Sequence, residues 1–221
     1  MTDPPFPDLP GAAFRRQDES PDERFYQQPR FVTHIDDRAI EAVERLYRDF
    51  FPPGGRVLDL MSSWISHLPP EIEYRQVVGL GLNRAELERN PRLSGVVVQN
   101  LNTTPRLPFG DASFDAAGIT VSIDYLTRPV EVLRDLGRVL VPGGPVVISF
   151  SNRCFPTKAV AIWHTLDDAG HLALVQRYLE EAGNWTDIVR LDRSPRVAGR
   201  LTGDPLYAVI GHARPKLQGR D

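Results

Sequence analysis

Apolar residues recur along the chain in two rhythms. Ile40, Val43, Leu46, Tyr47 and Phe50 fall on one face of a helix that Asp36 or Asp37 caps, and Pro52-Pro53-Gly54-Gly55 ends it. Short strand-like runs follow at Val57–Leu60, Gln76–Leu82, Gly95–Leu101, Phe114–Val121 and Pro145–Phe150. Between the second and third runs, Asn83-Arg84-Ala85-Glu86 has the form of a capping box, opening a short helix that Asn90-Pro91 stops. Pro129 sits in a first helical turn, with Val130, Leu133, Leu136, Val139 and Leu140 as the apolar stripe. Two more helices are expected over 158–165 and 167–182, the second stopped by Gly183, then two strands over 186–191 and 206–212. Strands and helices in this order predict an α/β protein, a mostly parallel sheet with helices on both faces. The closing pair of strands, joined only by a loop, must be antiparallel.

Outside these elements the pattern fades. Residues 1–24 carry prolines at 4, 5, 7, 10 and 21 among scattered charges, a composition that predicts a mobile or loosely packed arm. Residues 25–213 then form one domain and 214–221 a tail. The segment FYQQPRFVTHIDD, residues 25–37, is expected to pack on the domain because its aromatic and apolar residues return.

Charge narrows the partners. A formal net charge of −3 and no clustered basic surface argue against nucleic acid, which leaves a small molecule as the expected partner. The single cysteine, Cys154, excludes an intramolecular disulfide framework and suits a reducing compartment. The proline-rich, acidic N-terminus lacks the pattern of a signal peptide, and no run reaches the ~20 apolar residues of a membrane span, so a cytoplasmic protein without membrane partners is expected.

The stretch RVLDLMSSWISHL, residues 56–68, is the most suggestive of chemistry. A buried strand ending in Asp59-Leu60 places a carboxylate at the strand's carboxyl end, where α/β sheets hold nucleotide-like ligands. An acid there is costly without a partner, which favours a functional role for Asp59. The following turn, Met61-Ser62-Ser63-Trp64, contains no glycine, and the absence of GxGxxG argues against a nicotinamide-dependent oxidoreductase.

The strings VLDL (57–60), LPF (107–109) before SFD (113–115), and RVLVPGG (138–144) resemble the class I S-adenosylmethionine-dependent methyltransferases, over roughly residues 37–213. The chain is most similar to the methyltransferase type 11 group, and within it to a subgroup reading LDLMSSWISHLP and SFSNRCFPTK. The resemblance implies a three-layer Rossmann-like fold with a mostly parallel seven-stranded sheet and an antiparallel closing strand. It implies S-adenosyl-L-methionine as cofactor and methyl transfer to a small-molecule acceptor. Carried over by position, Asp59 and the Met61-Ser62-Ser63 turn meet the methionine end, with the serines where the group usually has Gly-Cys-Gly. Gly81 stands where an acid usually holds the ribose, leaving Leu82 and Asn83 beside it. Asn100 or Asn102, which flank Leu101, takes the adenine position, and Ser122 lies near the methyl donor. An Asn still exchanges two hydrogen bonds with a ribose diol, more weakly than a carboxylate. The departures keep a second reading open, a catalytically degenerate fold serving as a binding or regulatory protein.

For the acceptor side, Asp124, Tyr125 and His34 are the candidates, Asp124 as a general base. Each has a plainer reading: Asp124 as a cap for the helix near Pro129, His34 as a packing histidine, Asn83 as the cap of the helix at Arg84. Arg153 suits an anionic acceptor or an ordinary salt bridge, and Trp64 and Trp163 suit pocket walls or core. His34, His67, His164 and His171 share no metal-ligand spacing, so no metal is expected.

Overall fold

Residues 6–215 are described by a computed structural model. In chain order they form α1 (Asp22–Phe25), α2 (Asp37–Phe50), β1 (Arg56–Leu60), β2 (Gln76–Gly81), α3 (Arg84–Arg89), β3 (Gly95–Val98), β4 (Ala116–Thr120), α4 (Pro129–Val139), β5 (Pro145–Phe150), α5 (Asp168–Ala182), β6 (Trp185–Asp192), β7 (Arg196–Val197), β8 (Arg200–Leu201) and β9 (Tyr207–Ala213). Seven strands make one sheet in the order β3-β2-β1-β4-β5-β9-β6. The first five run parallel, and β9 is antiparallel to both β5 and β6.

The period of two along each strand splits the core into the two layers the sequence predicts. Leu58, Leu60, Val78, Leu80, Ala117, Ile119, Val146 and Ile148 join one apolar cluster with Leu133, Leu136 and Val139 of α4 and Val175, Tyr178 and Leu179 of α5. Val57, Val77, Ala116, Val147, Ala208 and Ile210 face the other way, against Ala39, Val43, Leu46 and Tyr47 of α2. Helix ends follow their residue chemistry: Asp36 and Asp167 accept the first free amides of α2 and α5, at Ala39 and Gly170, and Gly183 ends α5 in the left-handed region.

Two expectations are corrected. Residues 158–165 are not an α-helix. They hold only a 3₁₀ turn, Trp163–Thr165, because their backbone is spent elsewhere: Val160 N–H donates to Asp124 O at 2.9 Å, Ala161 N–H to Arg15 O at 2.8 Å and Ile162 N–H to Ala13 O at 2.9 Å. The strand-like pairing partner is the N-terminal segment, the second correction. From residue 6 on it is no loose arm: Phe6, Ala13 and Asp22 are buried, and Phe6 stacks on Phe14 at 5.1 Å and meets Tyr178 edge-on at 5.7 Å. A handful of well-placed residues anchors what composition alone reads as unanchored. Residues 1–5 and 216–221, part of the predicted arm and most of the tail, lie outside the described residues.

Candidate functional site

The sheet order reverses between β1 and β4, and the carboxyl ends of β1, β2 and β4 open there into a cavity of about 300 Å³. The N-terminal segment lies across it, contributing Arg16, Asp22, Tyr26, Arg30 and residues 32–34 to the lining. One wall of the site is thus built from a part of the chain far from the sheet in sequence.

Asp59 is at the floor, 7% exposed, flanked in register by Gly79 of β2 and Gly118 of β4. Its Oδ2 accepts from Ser62 Oγ at 2.6 Å, with the Ser66 hydroxyl also near, and burial pushes its carboxyl up to about 6. The glycine-free turn beyond it is made in an unexpected way. Met61 takes the left-handed conformation, φ 59°, that a glycine usually supplies. Ser62 N–H then donates to Leu80 O at 2.8 Å, which lays the turn over the end of β2. A Cβ at Gly81 would run into the Ser62 carbonyl. The glycine missing from the first turn is therefore needed across the groove, at the position where the methyltransferase pattern has an acid.

The rest of the 61–68 loop is tied down. Asn90 Nδ2 donates to Ser63 O at 3.0 Å and Ser66 Oγ at 2.8 Å, Ser63 Oγ to Glu86 Oε2 at 2.7 Å, and Trp64 Nε1 to Val32 O at 3.0 Å. Glu86 does not close a reciprocal capping box. Asn83 Oδ1 accepts from Glu86 N–H at 3.2 Å, while the Glu86 carboxylate turns to Ser63 and to Arg30 N–H at 2.7 Å.

Of the residues singled out from the sequence, His34, Asp59, Met61, Ser62, Ser63, Leu82, Asn83, Asn100, Leu101, Asn102, Ser122 and Tyr125 line this one cavity, as do Trp64, Arg153 and Cys154. Asp124 does not. It lies behind the lining at 2% exposure, with Oδ2 unpartnered and burial pushing its carboxyl up to about 8. A base facing an acceptor is not what its position offers. Tyr125 faces the cavity, but its hydroxyl accepts from Phe155 N–H at 2.8 Å and burial raises the phenol far above its ordinary value, so it stays protonated. Trp163 is buried against His171 instead of walling the cavity. Arg153 takes its plainer reading, an ion pair with Asp204 at 2.9 Å.

The three asparagines are placed at the cavity yet used by the protein itself. Asn83 Nδ2 donates to Tyr26 O at 2.8 Å and Gln27 O at 3.2 Å, Asn100 Nδ2 to Glu23 Oε1 at 2.8 Å, and Asn102 Nδ2 to Asp22 Oδ2 at 2.9 Å and Tyr125 O at 3.0 Å. They strap the N-terminal segment over the site. A buried ionic cluster completes the fastening: Lys158, fully buried, has Nζ 3.3 Å from both Asp18 Oδ2 and Asp22 Oδ1, and Arg16 Nη1 is 2.7 Å from Asp22 Oδ1.

Sequence reasoning missed Arg16, Asp22, Tyr26, Arg30, Glu86, His67 and Phe155, all on the lining. His67 is 8% exposed at φ 50°, with Nδ1 unpartnered, and burial with His34 nearby lowers its imidazole to about 4, so it is neutral at pH 7. His34, its ring edge-on to Phe155 at 5.3 Å, is also lowered by burial. Among the described residues no cluster of three or more His, Cys, Asp or Glu could hold a metal ion. No helix of the described residues is long and apolar enough to cross a membrane.

Comparison with known proteins places this architecture. Residues 62–148 match the family model described as a methyltransferase domain. Among solved structures, the fold is similar to an S-adenosylmethionine-dependent methyltransferase from Archaeoglobus fulgidus, with a TM-score of 0.57 at 16% identity over 80% of this chain and 94% of that one. It is similar to the [4+2]-cyclase SpnF, at 0.58 and 15% over 87% and 91%. A third likeness is to phosphoethanolamine N-methyltransferase 2 of Haemonchus contortus in complex with S-adenosyl-L-methionine, at 0.57 and 15% over 79% and 52%. No curated protein matches the sequence at a significant level. The chain shares the α/β fold of these Rossmann-like methyltransferases, and its match to the methyltransferase-domain model is confined to residues 62–148.

Proposed function

We propose that this protein transfers a methyl group from S-adenosyl-L-methionine to a small-molecule acceptor. The observation that carries the reading is the cavity at the β1/β4 switch point with buried Asp59 on its floor, in a chain whose residues 62–148 match a methyltransferase domain. At about 300 Å³ it is within the range of small-molecule sites. A buried acid whose partners are hydroxyls fits an ammonium group, so Asp59 and the backbone of Met61-Ser62-Ser63 suit the methionine end. Leu82 and Leu101 supply apolar lining for the base. Asn83 Nδ2 and both Glu86 carboxylate oxygens are engaged within the chain, so a ribose on this wall would share or displace those bonds.

The cofactor, when bound, supplies a methyl carbon made electrophilic by its sulfonium. The protein contributes position, exclusion of water and a place for the acceptor's proton. The pinned 61–68 loop and the N-terminal segment shut out solvent. His67 and His34, neutral near pH 7, are the imidazoles at hand for the proton. Titration calorimetry tests the reading: saturable binding of S-adenosyl-L-methionine in the micromolar range supports it, and no binding at high concentration rejects it.

One observation favours a second reading, a degenerate fold that binds or regulates. Asn83, Asn100 and Asn102, carried over to the ribose and adenine positions, each hydrogen-bond the N-terminal segment through their side-chain amides. That reading expects no cofactor uptake in the same titration, and a phenotype that survives Asp59→Ala but fails on surface changes.

A further inference from the structure

His67 is the least comfortable residue on the cavity wall. It lines the cavity at 8% exposure and holds its backbone at φ 50°, a conformation that a residue carrying a ring seldom takes. Among the described residues neither ring nitrogen has a hydrogen-bond partner: Nδ1 is sealed inside the protein, and Nε2, which is not sealed, is left to the cavity. Both neighbours fix the ring in place. The Ser66 hydroxyl accepts from Asn90 Nδ2 at 2.8 Å and lies by Asp59, while Leu68 is buried in the apolar layer with α2. Glycine would sit in this backbone without strain and asparagine with little, and neither would leave an imidazole unpaired. What only histidine supplies there is a ring nitrogen that can take a proton.

The surroundings limit whose proton that is. No carboxylate backs Nδ1, and His34 is the one ionisable group among the described residues whose charge reaches the ring. Of the acids around the cavity, Asp22 is paired with Arg16 and Lys158, both Glu86 oxygens are bonded, and Asp124 lies behind the wall. Asp59, on the floor, is taken by the methionine end in the methyltransferase reading. An imidazolium at 67 thus has nothing to stabilise it, and burial keeps the ring neutral. So weak a base cannot strip an ammonium before attack. It can take the proton of a hydroxyl, whose oxygen turns strongly acidic as the new carbon–oxygen bond forms. Val32, Trp64, Ile65, Leu126 and Phe155 make much of the remaining lining apolar.

We infer that the methyl acceptor is an uncharged hydroxyl compound on an apolar skeleton, and that His67 Nε2 is the catalytic group that receives its proton. The inference deepens the methyltransferase reading and rests on it. The acceptor oxygen bonds the methyl carbon as the carbon–sulfur bond breaks, and that bond's electron pair stays on sulfur. The hydroxyl proton crosses to Nε2 and passes to water once the product leaves, so the sulfonium's positive charge ends on the imidazole.

The experiment compares wild type with His67→Gly and His67→Asn, both suited to the left-handed backbone. Calorimetry measures S-adenosylhomocysteine binding. Mass spectrometry follows transfer from S-adenosyl-L-methionine to phenol, the two naphthols, benzyl alcohol and benzylamine at neutral pH. Nitrogen NMR follows the His67 ring in the S-adenosylhomocysteine complex as naphthol or naphthalene is added. Wild type is expected to methylate at least one hydroxyl probe and not benzylamine, and naphthol but not naphthalene is expected to move the His67 signal. Both variants should bind S-adenosylhomocysteine within about twofold of wild type, which also reports that they are folded. On the hydroxyl probe they should lose at least about a hundredfold in kcat with KM within about threefold, and added imidazole should restore part of the rate in His67→Gly. Wild type that binds S-adenosylhomocysteine but methylates no hydroxyl probe, an unmoved His67 signal, or an unchanged kcat in the variants overturns the inference and leaves the methyltransferase reading standing. Variants that lose cofactor affinity along with kcat, without rescue by imidazole, overturn it too, because His67 is then structural. Wild type that takes up neither adenosine ligand sinks the methyltransferase reading and the inference with it.

Discussion

At the scale of single residues, the site trades stability for charge. Asp59 is raised from 3.8 to about 6 by burial, so the empty protein carries a carboxylate that it would keep better protonated. An acid whose folded pKa is raised loses stability as pH climbs from its unfolded value to its folded one, here between 3.8 and about 6. Asp59→Asn removes that burden, up to about 3 kcal/mol at pH 7, and a melting curve of the ligand-free variant at pH 7 is expected above wild type. The same change is expected to weaken S-adenosyl-L-methionine binding at pH 7. Wild-type affinity should itself fall as pH drops below about 6. A variant that melts lower yet binds normally would mean Asp59 is structural. Gly81 makes the complementary point: what looks like the loss of a ribose-binding acid is the room the Ser62 carbonyl needs.

At the scale of elements, the N-terminal segment behaves as a docked strap. Residues 13–16 pair with 160–162 through backbone bonds, and the Lys158, Asp18, Asp22, Arg16 cluster locks the next turn beside the cavity. Truncating one member of a buried ionic group leaves the others uncompensated, a cost of roughly 3 kcal/mol or more. Lys158→Met is expected to speed amide hydrogen exchange across residues 13–26 well before the β1, β4 and β5 amides exchange. Uniform acceleration through the whole domain would show instead that strap and sheet open together. The sequence concealed this element because five prolines and dispersed charge dominate its composition, while its anchors are single residues whose partners lie from 57 to more than a hundred positions away. The failed helix over 158–165 has the same origin: its amides found the strap and Asp124 before they found one another.

At the scale of the whole molecule, the pH dependence between 6.5 and 8 falls to one buried acid. His67, lowered from 6.5 to about 4, acts only below that window, where its neutral burial makes stability rise with pH. Asp59, with its midpoint at about 6, titrates mostly below the window. Asp124, raised from 3.8 to about 8, keeps its proton in the folded state and loses it on unfolding, so stability falls as pH rises to about 8. We expect the melting temperature to drop from pH 6.5 to 8, equivalent to about 2 kcal/mol, and Asp124→Asn to flatten that drop. A wild-type profile that is flat over the window would exclude the buried acid. The order and type of the sheet elements, the cap at Asn83, the choice of Asp36 or Asp37 as cap of α2, and Asp59 at the mouth of β1 were determined by the sequence itself, since they rest on local periodicity and on residues a few positions apart. Most cavity-lining candidates were legible for the same reason, because strand ends converge by topology. The tertiary structure alone decided what those residues bond to. It turned three asparagines from ligand groups into fastenings, set Asp124 behind the wall, and brought Arg30 and His67 to the cavity. Hydrogen bonds and ion pairs between distant segments leave no period in the chain, and the turn RVLDLMSSWISHL found its glycine in β2.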